Sequence, residues 1–199
     1  MQRLLLILLA SLTLTACDSA KLEPLPRDAV ILAFGDSLTA GVGTTKNKSY
    51  PAVLQSLSGL DVINAGISGE VTSDGLERLP GLIREHNPDL MILIEGGNDI
   101  LRNKNYDLIQ SNLEQMIQLA KSRHVQVVLL GVPEKKLLSS SAPFYKELAE
   151  KHQLVYHHDL ISNLLRTRSL KSDPIHFNEQ GYQKMAEGIY QLLTESGAL

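Results

Sequence analysis

Only one cysteine occurs in the 199 residues, at position 17, and there is no tryptophan. A single thiol can form no internal disulfide. Aromatic residues make up 5% of the chain, a poor stock for platforms that stack on sugar rings. The formal net charge is -3 and no long basic run occurs, so the electrostatic footprint of a nucleic-acid binder is missing and DNA and RNA are excluded as partners. No phosphate loop is present either, because Gly41-Val42-Gly43-Thr44 lacks the Lys-Ser/Thr ending that such a loop uses to hold phosphate and metal. What the chain does have is 43% hydrophobic residues, enough for one domain with a sizeable core.

The first apolar run, Leu4 to Ala10 after Arg3, ends in Leu14-Thr15-Ala16-Cys17. It is too short to span a bilayer comfortably and reads as a secretory signal. Leu-Thr-Ala-Cys resembles a bacterial lipobox, which implies cleavage before Cys17 and acylation of that cysteine; an ordinary cleaved signal with an incidental cysteine is the alternative. Residues 1–16 are therefore expected to be a lipoprotein signal peptide, and 17–28, with Pro24 and Pro26, a lipidated N-terminus and short tether. The expected location is a bacterial cell envelope, lipid-anchored and facing the periplasm or exterior. Asp18 after the cysteine resembles an inner-membrane retention signal.

From residue 29 onward, apolar runs alternate with segments of helical period, the pattern of parallel β-α units. Strands are predicted at Ala29–Phe34, Asp61–Asn64, Leu90–Glu95, Val125–Leu130 and Leu154–His157. Their near-continuous apolar character fits strands covered on both faces. A helix is predicted from Tyr106 to Arg123 with Ile109, Leu113, Met116, Ile117 and Ala120 on one stripe. Another is expected to start at Thr72 and break at Pro80-Gly81. Pro51 and Pro143 suit first turns, and Asn178 suits the cap of a last helix carrying Tyr182, Met185, Ala186, Ile189 and Leu193.

Three polar clusters stand at predicted strand or loop ends: Gly35-Asp36-Ser37-Leu38, Gly96-Gly97-Asn98-Asp99 and Asp173-Pro174-Ile175-His176. In a parallel α/β protein, chemistry collects beyond the carboxyl ends of the strands. A serine hydroxyl is a weak nucleophile unless a base lies within hydrogen-bond reach and donors await the oxyanion. His176 is the natural base, and Asp173, three residues away, the natural group to orient it. Taken singly, each residue has a plainer reading: Ser37 as a cap, His176 as a loop histidine, Asn98 and Gly69 as turn residues. Asp36 and Asp99 read as structural, holding their loops through bonds to backbone. His157-His158-Asp159 invites a metal, but neighbouring strand residues point to opposite faces, so no metal site is expected.

With the segment Asn64-Ala65-Gly66-Ile67-Ser68-Gly69, these clusters form four ordered blocks, and the chain resembles the SGNH, or GDSL, hydrolase superfamily. The similarity is closest to its bacterial thioesterase I, lysophospholipase L1 and arylesterase branch. The resemblance implies a flavodoxin-like, three-layer α/β/α hydrolase domain over 29–199, with a five-stranded parallel sheet ordered 2-1-3-4-5. It also implies a serine esterase acting on acyl esters or thioesters through Ser37, His176 and Asp173, with an oxyanion hole of the Ser37 and Gly69 backbone N–H groups and the Asn98 amide. No cofactor is implied. The partners expected are a small-molecule or lipid acyl ester and, through the anchor, a membrane. A carbohydrate acetyl esterase and a tethered binding protein without catalysis are the alternatives. Leu101, Leu137, Leu138, Phe144 and Phe177 lie in segments after the strands and are expected to wall an acyl groove, or else to pack beneath the loops. Where many members carry proline after the histidine, this chain has Phe177.

Overall fold

The computed structural model describes residues 20–135 and 140–199. The expectations on the signal segment, Cys17, Asp18, Leu137 and Leu138 lie outside the described residues. Five strands, β1 (Val30–Gly35), β2 (Asp61–Gly66), β3 (Leu90–Ile94), β4 (Gln126–Leu130) and β5 (Val155–His157), form one sheet in the order 2-1-3-4-5, every pairing parallel. The helices in chain order are α1 (Ser37–Ala40), α2 (Tyr50–Ser58), α3 (Thr72–His86), α4 (Gly97–Leu101), α5 (Tyr106–Ser122), α6 (Pro143–His152), α7 (Leu160–Arg166) and α8 (Glu179–Glu195). Helices α2, α7 and α8 pack together on one side, and α3, α5 and α6 on the other. The result is the expected three-layer α/β/α fold.

Layering explains the apolar runs. All five residues of β3 are buried, because a central strand of a doubly covered sheet has no solvent face. On α5 the stripe Ile109, Leu113, Met116, Ile117 and Ala120 is fully buried, and Asn178 caps α8 by accepting from the Gly181 N–H at 3.0 Å. Among the described residues, no helix is long and apolar enough to cross a membrane.

Two expectations fail here. Helix α3 runs through Pro80 to His86 instead of breaking. Proline removes one intrahelical bond, but Leu79 and Ile83 on either side of it are buried against the sheet, and that packing carries the helix past the gap. The stretch read as a tether is also docked in its described part: Leu22 and Leu25 donate to the Ser196 and Ala198 carbonyls, each at 2.9 Å, and Glu23 exchanges bonds with the Gln126 side chain.

The order 2-1-3-4-5 leaves a crevice beyond the carboxyl ends of β1 and β3, where successive connections depart to opposite sides of the sheet. The Ser37 and Asn98 blocks begin at those two ends.

Candidate active site

At the end of β1, the Asp36 side chain accepts from the Leu38 N–H at 3.0 Å and starts the short helix α1 with Ser37 as its first residue. Ser37 meets His176 from a distant part of the chain, Oγ lying 3.0 Å from Nε2. The His176 ring is aimed from the other side: Nδ1 is 2.7 Å from Asp173 Oδ2. With Asp173 as acceptor, the proton sits on Nδ1 and the Nε2 lone pair faces the serine hydroxyl. Asp173 also accepts at Oδ1 from the backbone N–H groups of Ile175 and His176, both at 2.9 Å. Partial burial works against its charge, but the bonds from the His176 ring and the two N–H groups hold Asp173 below its ordinary value.

Three residues of spacing suffice for this loop to fold the carboxylate back onto its own imidazole. The bridge between Lys171 and Phe177, the Ser172 N–H bond to the His176 carbonyl and the Asn178 cap pin the loop at both ends.

At the end of β3, Asn98 donates from Nδ2 to Asp36 Oδ2 at 3.2 Å, which sets the amide beside the nucleophile block. Burial pushes the Asp36 carboxyl up to about 6, against the Leu38 N–H and the His176 charge. Asp99 accepts from the Thr72 N–H and hydroxyl at 2.8 and 3.1 Å, so both aspartates hold loops as expected. Gly69 has φ +80, and a Cβ there would meet nothing closer than Arg102 Nη2 at 3.8 Å. The backbone conformation demands glycine there, and space does not.

Ser37 and Asn98 line a cavity of about 580 Å³. Its apolar wall is Leu38, Ile100, Leu101, Val132, Pro133, Leu165, Pro174 and Ile175, with Glu134, Lys135, Arg166 and Lys171 also lining it. Of the expected wall residues, Leu101 is present. Phe144 and Phe177 are not, because both are buried in the core: Phe144 meets Tyr106 and Tyr145, and Phe177 meets Tyr182 edge-on at 5.5 Å. Phe177 forms an isolated bridge with Lys171 and is fully buried, so while the His176 imidazole reaches the serine its neighbour packs inward. Ile100, Val132, Leu165 and Ile175 were missed; Ile100 and Ile175 sit within or beside the polar blocks, and that adjacency was their one sequence signal.

The His157-His158-Asp159 expectation is corrected in its geometry. The strand stops at His157, so the alternation of faces ends there, and the three side chains bring ligand-type atoms within 4.8 Å of one another. They are paired internally, His157 Nδ1 to Asp159 Oδ1 at 3.3 Å and His158 Nε2 to Asp159 Oδ2 at 3.6 Å.

Residues 33–184 match the model of the GDSL-like Lipase/Acylhydrolase family. The chain belongs to that family. It is 32% identical to an arylesterase of Vibrio mimicus over 96% of this chain and 99% of that one. It is also 35% identical to the thioesterase 1/protease 1/lysophospholipase L1 of Escherichia coli strain K12, over 51% of this chain and 50% of the relative. Among solved structures, the crystal structure of TesA superposes with a TM-score of 0.76 at 26% identity, covering 84% of this chain and 99% of TesA. As a GDSL-family member the chain is an ester-hydrolysing enzyme of the SGNH serine type.

Proposed function

We propose that the chain hydrolyses carboxylic acyl esters or thioesters, of the arylesterase, acyl-thioesterase and lysophospholipase type, through a Ser37-His176-Asp173 triad and an acyl-enzyme. The observation that carries this reading is the continuous chain Asp173–His176–Ser37 at 2.7 and 3.0 Å opening on a largely apolar cavity. Ser37 Oγ attacks the acyl carbon as its proton passes to His176 Nε2, and the carbonyl oxygen takes the negative charge. The Ser37 and Gly69 N–H groups and the Asn98 amide are the donors assigned to that oxyanion, where one donor contributes about 3 kcal/mol in the transition state. His176 then gives its proton to the departing alkoxide or thiolate. Water repeats the sequence on the acyl-enzyme and frees the acid. Asp173 orients the ring and stabilises the imidazolium without taking the proton. The names of the relatives support the leaving-group range, and Leu101, Ile100 and Leu165 supply a surface for the acyl chain.

The lipoprotein reading belongs to the same proposal: Cys17 carries the lipid and the hydrolase faces the periplasm or exterior, Asp18 favouring the inner membrane. Growth with radiolabelled palmitate is expected to label the wild type and not Cys17→Ser; label retained on the variant would sink the anchor.

The activity is tested with p-nitrophenyl esters from acetate to palmitate, using protein lacking residues 1–17. Turnover beyond acetate and its loss by about five to six orders of magnitude in Ser37→Ala, with fluorophosphonate labelling of Ser37, is the expected result. Activity confined to acetate and acetylated sugars would move the assignment to an acetyl esterase.

A further inference from the structure

Behind the nucleophile lies a set of acids that the ester chemistry does not use. Asp36, Glu70, Glu95 and Asp99 are buried, with exposures of 4%, 5%, 0% and 2%. Three of them are matched by donors. Asp99 accepts from Thr72 and lies 3.7 Å from Lys104 Nζ. Asp36 accepts from the Leu38 N–H and the Asn98 amide. Glu70 accepts a two-pronged contact from Arg78, whose Nη2 also donates to the Gly35 and Ala65 carbonyls and whose guanidinium covers the Phe34 ring at 4.2 Å.

Glu95 is the exception. Its Oε2 accepts from the Gly96 N–H at 3.1 Å, but Oε1 has no hydrogen-bond partner among the described residues. A fully buried carboxylate oxygen without a donor is strongly disfavoured. A proton on the Glu95 carboxyl reverses this, because the group becomes a donor and the Glu70 side chain lies within its hydrogen-bond reach. The Arg78 guanidinium carries one positive charge, enough for one of these two acids and not for both.

We infer that Glu95 is held as a neutral carboxylic acid that donates to Glu70, and that this bond is a strut fixing the oxyanion donors relative to one another. Burial, with the charges of Asp36 and Glu70, pushes the Glu95 carboxyl well above the ordinary range, in agreement with this state. The strut connects every segment that supplies a donor. Glu70 directly follows Gly69, Glu95 directly precedes Gly96-Gly97-Asn98, and Arg78 carries the connection to Gly35, two residues before Ser37. Outside the acid pair, Arg102 Nη2 donates to the Gly69 carbonyl at 3.0 Å and closes the same gap a second time. From α6, Tyr145 donates to the Glu95 carbonyl at 2.6 Å, and its oxygen fills the space a Cβ on Gly96 would need. Glu95 touches no reacting atom and is a positioning residue. Its role rests on the proposed reading that Gly69 and Asn98 receive the oxyanion.

The test uses the protein purified as expressed, in detergent. An infrared difference spectrum of wild type against Glu95→Gln at neutral pH is expected to show a carbonyl stretch of a protonated carboxylic acid that shifts on deuteration and is missing from the variant. A spectrum with carboxylate bands alone overturns the inference without reference to turnover. In kinetics on p-nitrophenyl butyrate, Glu95→Ala is expected to lower kcat about tenfold or more with KM within about twofold. Glu95→Gln, whose amide can still donate to Glu70 while its oxygen accepts from Gly96, is expected to hold kcat within about threefold. Glu95→Ala at wild-type kcat, or Glu95→Gln falling as far as Glu95→Ala, overturns the strut. Turnover that survives Ser37→Ala would strike the triad reading instead and leave the infrared result standing.

Discussion

The two halves of the candidate active site are built by different means. On the nucleophile side, the segments leaving β1 and β3 are locked by buried contacts: Asp36 to Leu38 and Asn98, Arg78 to Glu70, Gly35 and Ala65, and Glu95 to Gly96. On the acid–histidine side, Asp173 keeps 43% of its side chain exposed and sits in an irregular loop held by local bonds. A buried charged group is costly when stripped of its partner, whereas an exposed one loses little to water. The nucleophile side therefore couples activity to stability, and the acid–histidine side does not.

The sharpest way to break this contrast is Asp173→Asn. It removes the acceptor that sets the His176 tautomer, and kcat is expected to fall by about 10⁴. Thermal unfolding should move little, because the carboxylate is half exposed; a large loss of melting temperature would show that the loop is as structural as the strand ends. Arg78→Met is the counterpart on the buried side. It leaves Glu70 charged in the core without its guanidinium, and urea unfolding should report a loss of about 3 to 5 kcal/mol.

The smallest expected effect is a pH dependence. Asp36 keeps its proton up to about 6 in the folded chain, against an ordinary value of 3.8. Between those two values the native state binds more protons than the unfolded one, so its contribution is full below the lower value and is lost as pH rises through the upper. The loss is at most about 3 kcal/mol. Comparing unfolding of the wild type with Asp36→Asn at about pH 4 and about pH 7 isolates it. A stability gap between the two proteins that grows in favour of the wild type with rising pH would contradict the burial argument.

Much of this site was legible because its signals are local. Gly-Asp-Ser-Leu after an apolar run, Gly-Gly-Asn-Asp after another, and Asp and His three residues apart each carry their meaning within a few positions. The failures were of direction and long-range contact. Phe144, in the first turn of α6, and Phe177, next to His176, stand near the site in sequence but face the core, a direction that the sequence does not carry. Pro80 obeys the rule for an isolated helix less than it obeys Leu79 and Ile83. The Glu95–Glu70–Arg78 network joins three blocks, and none of its members stands out as chemistry in its own segment.

What the chain alone determined is the alternation of buried strands with amphipathic helices, hence a parallel sheet, and the residue types of the four blocks. Those follow from local periodicity and from functional groups that few other roles require. Only the tertiary structure decided that Ser37 and His176, 139 residues apart, come within 3.0 Å, which apolar side chains wall the cavity, and that Glu95 is buried beside a second acid. Each of these depends on how elements distant in sequence pack against one another, and burial, which sets both the cost of a charge and the face a side chain presents, exists only once they have packed.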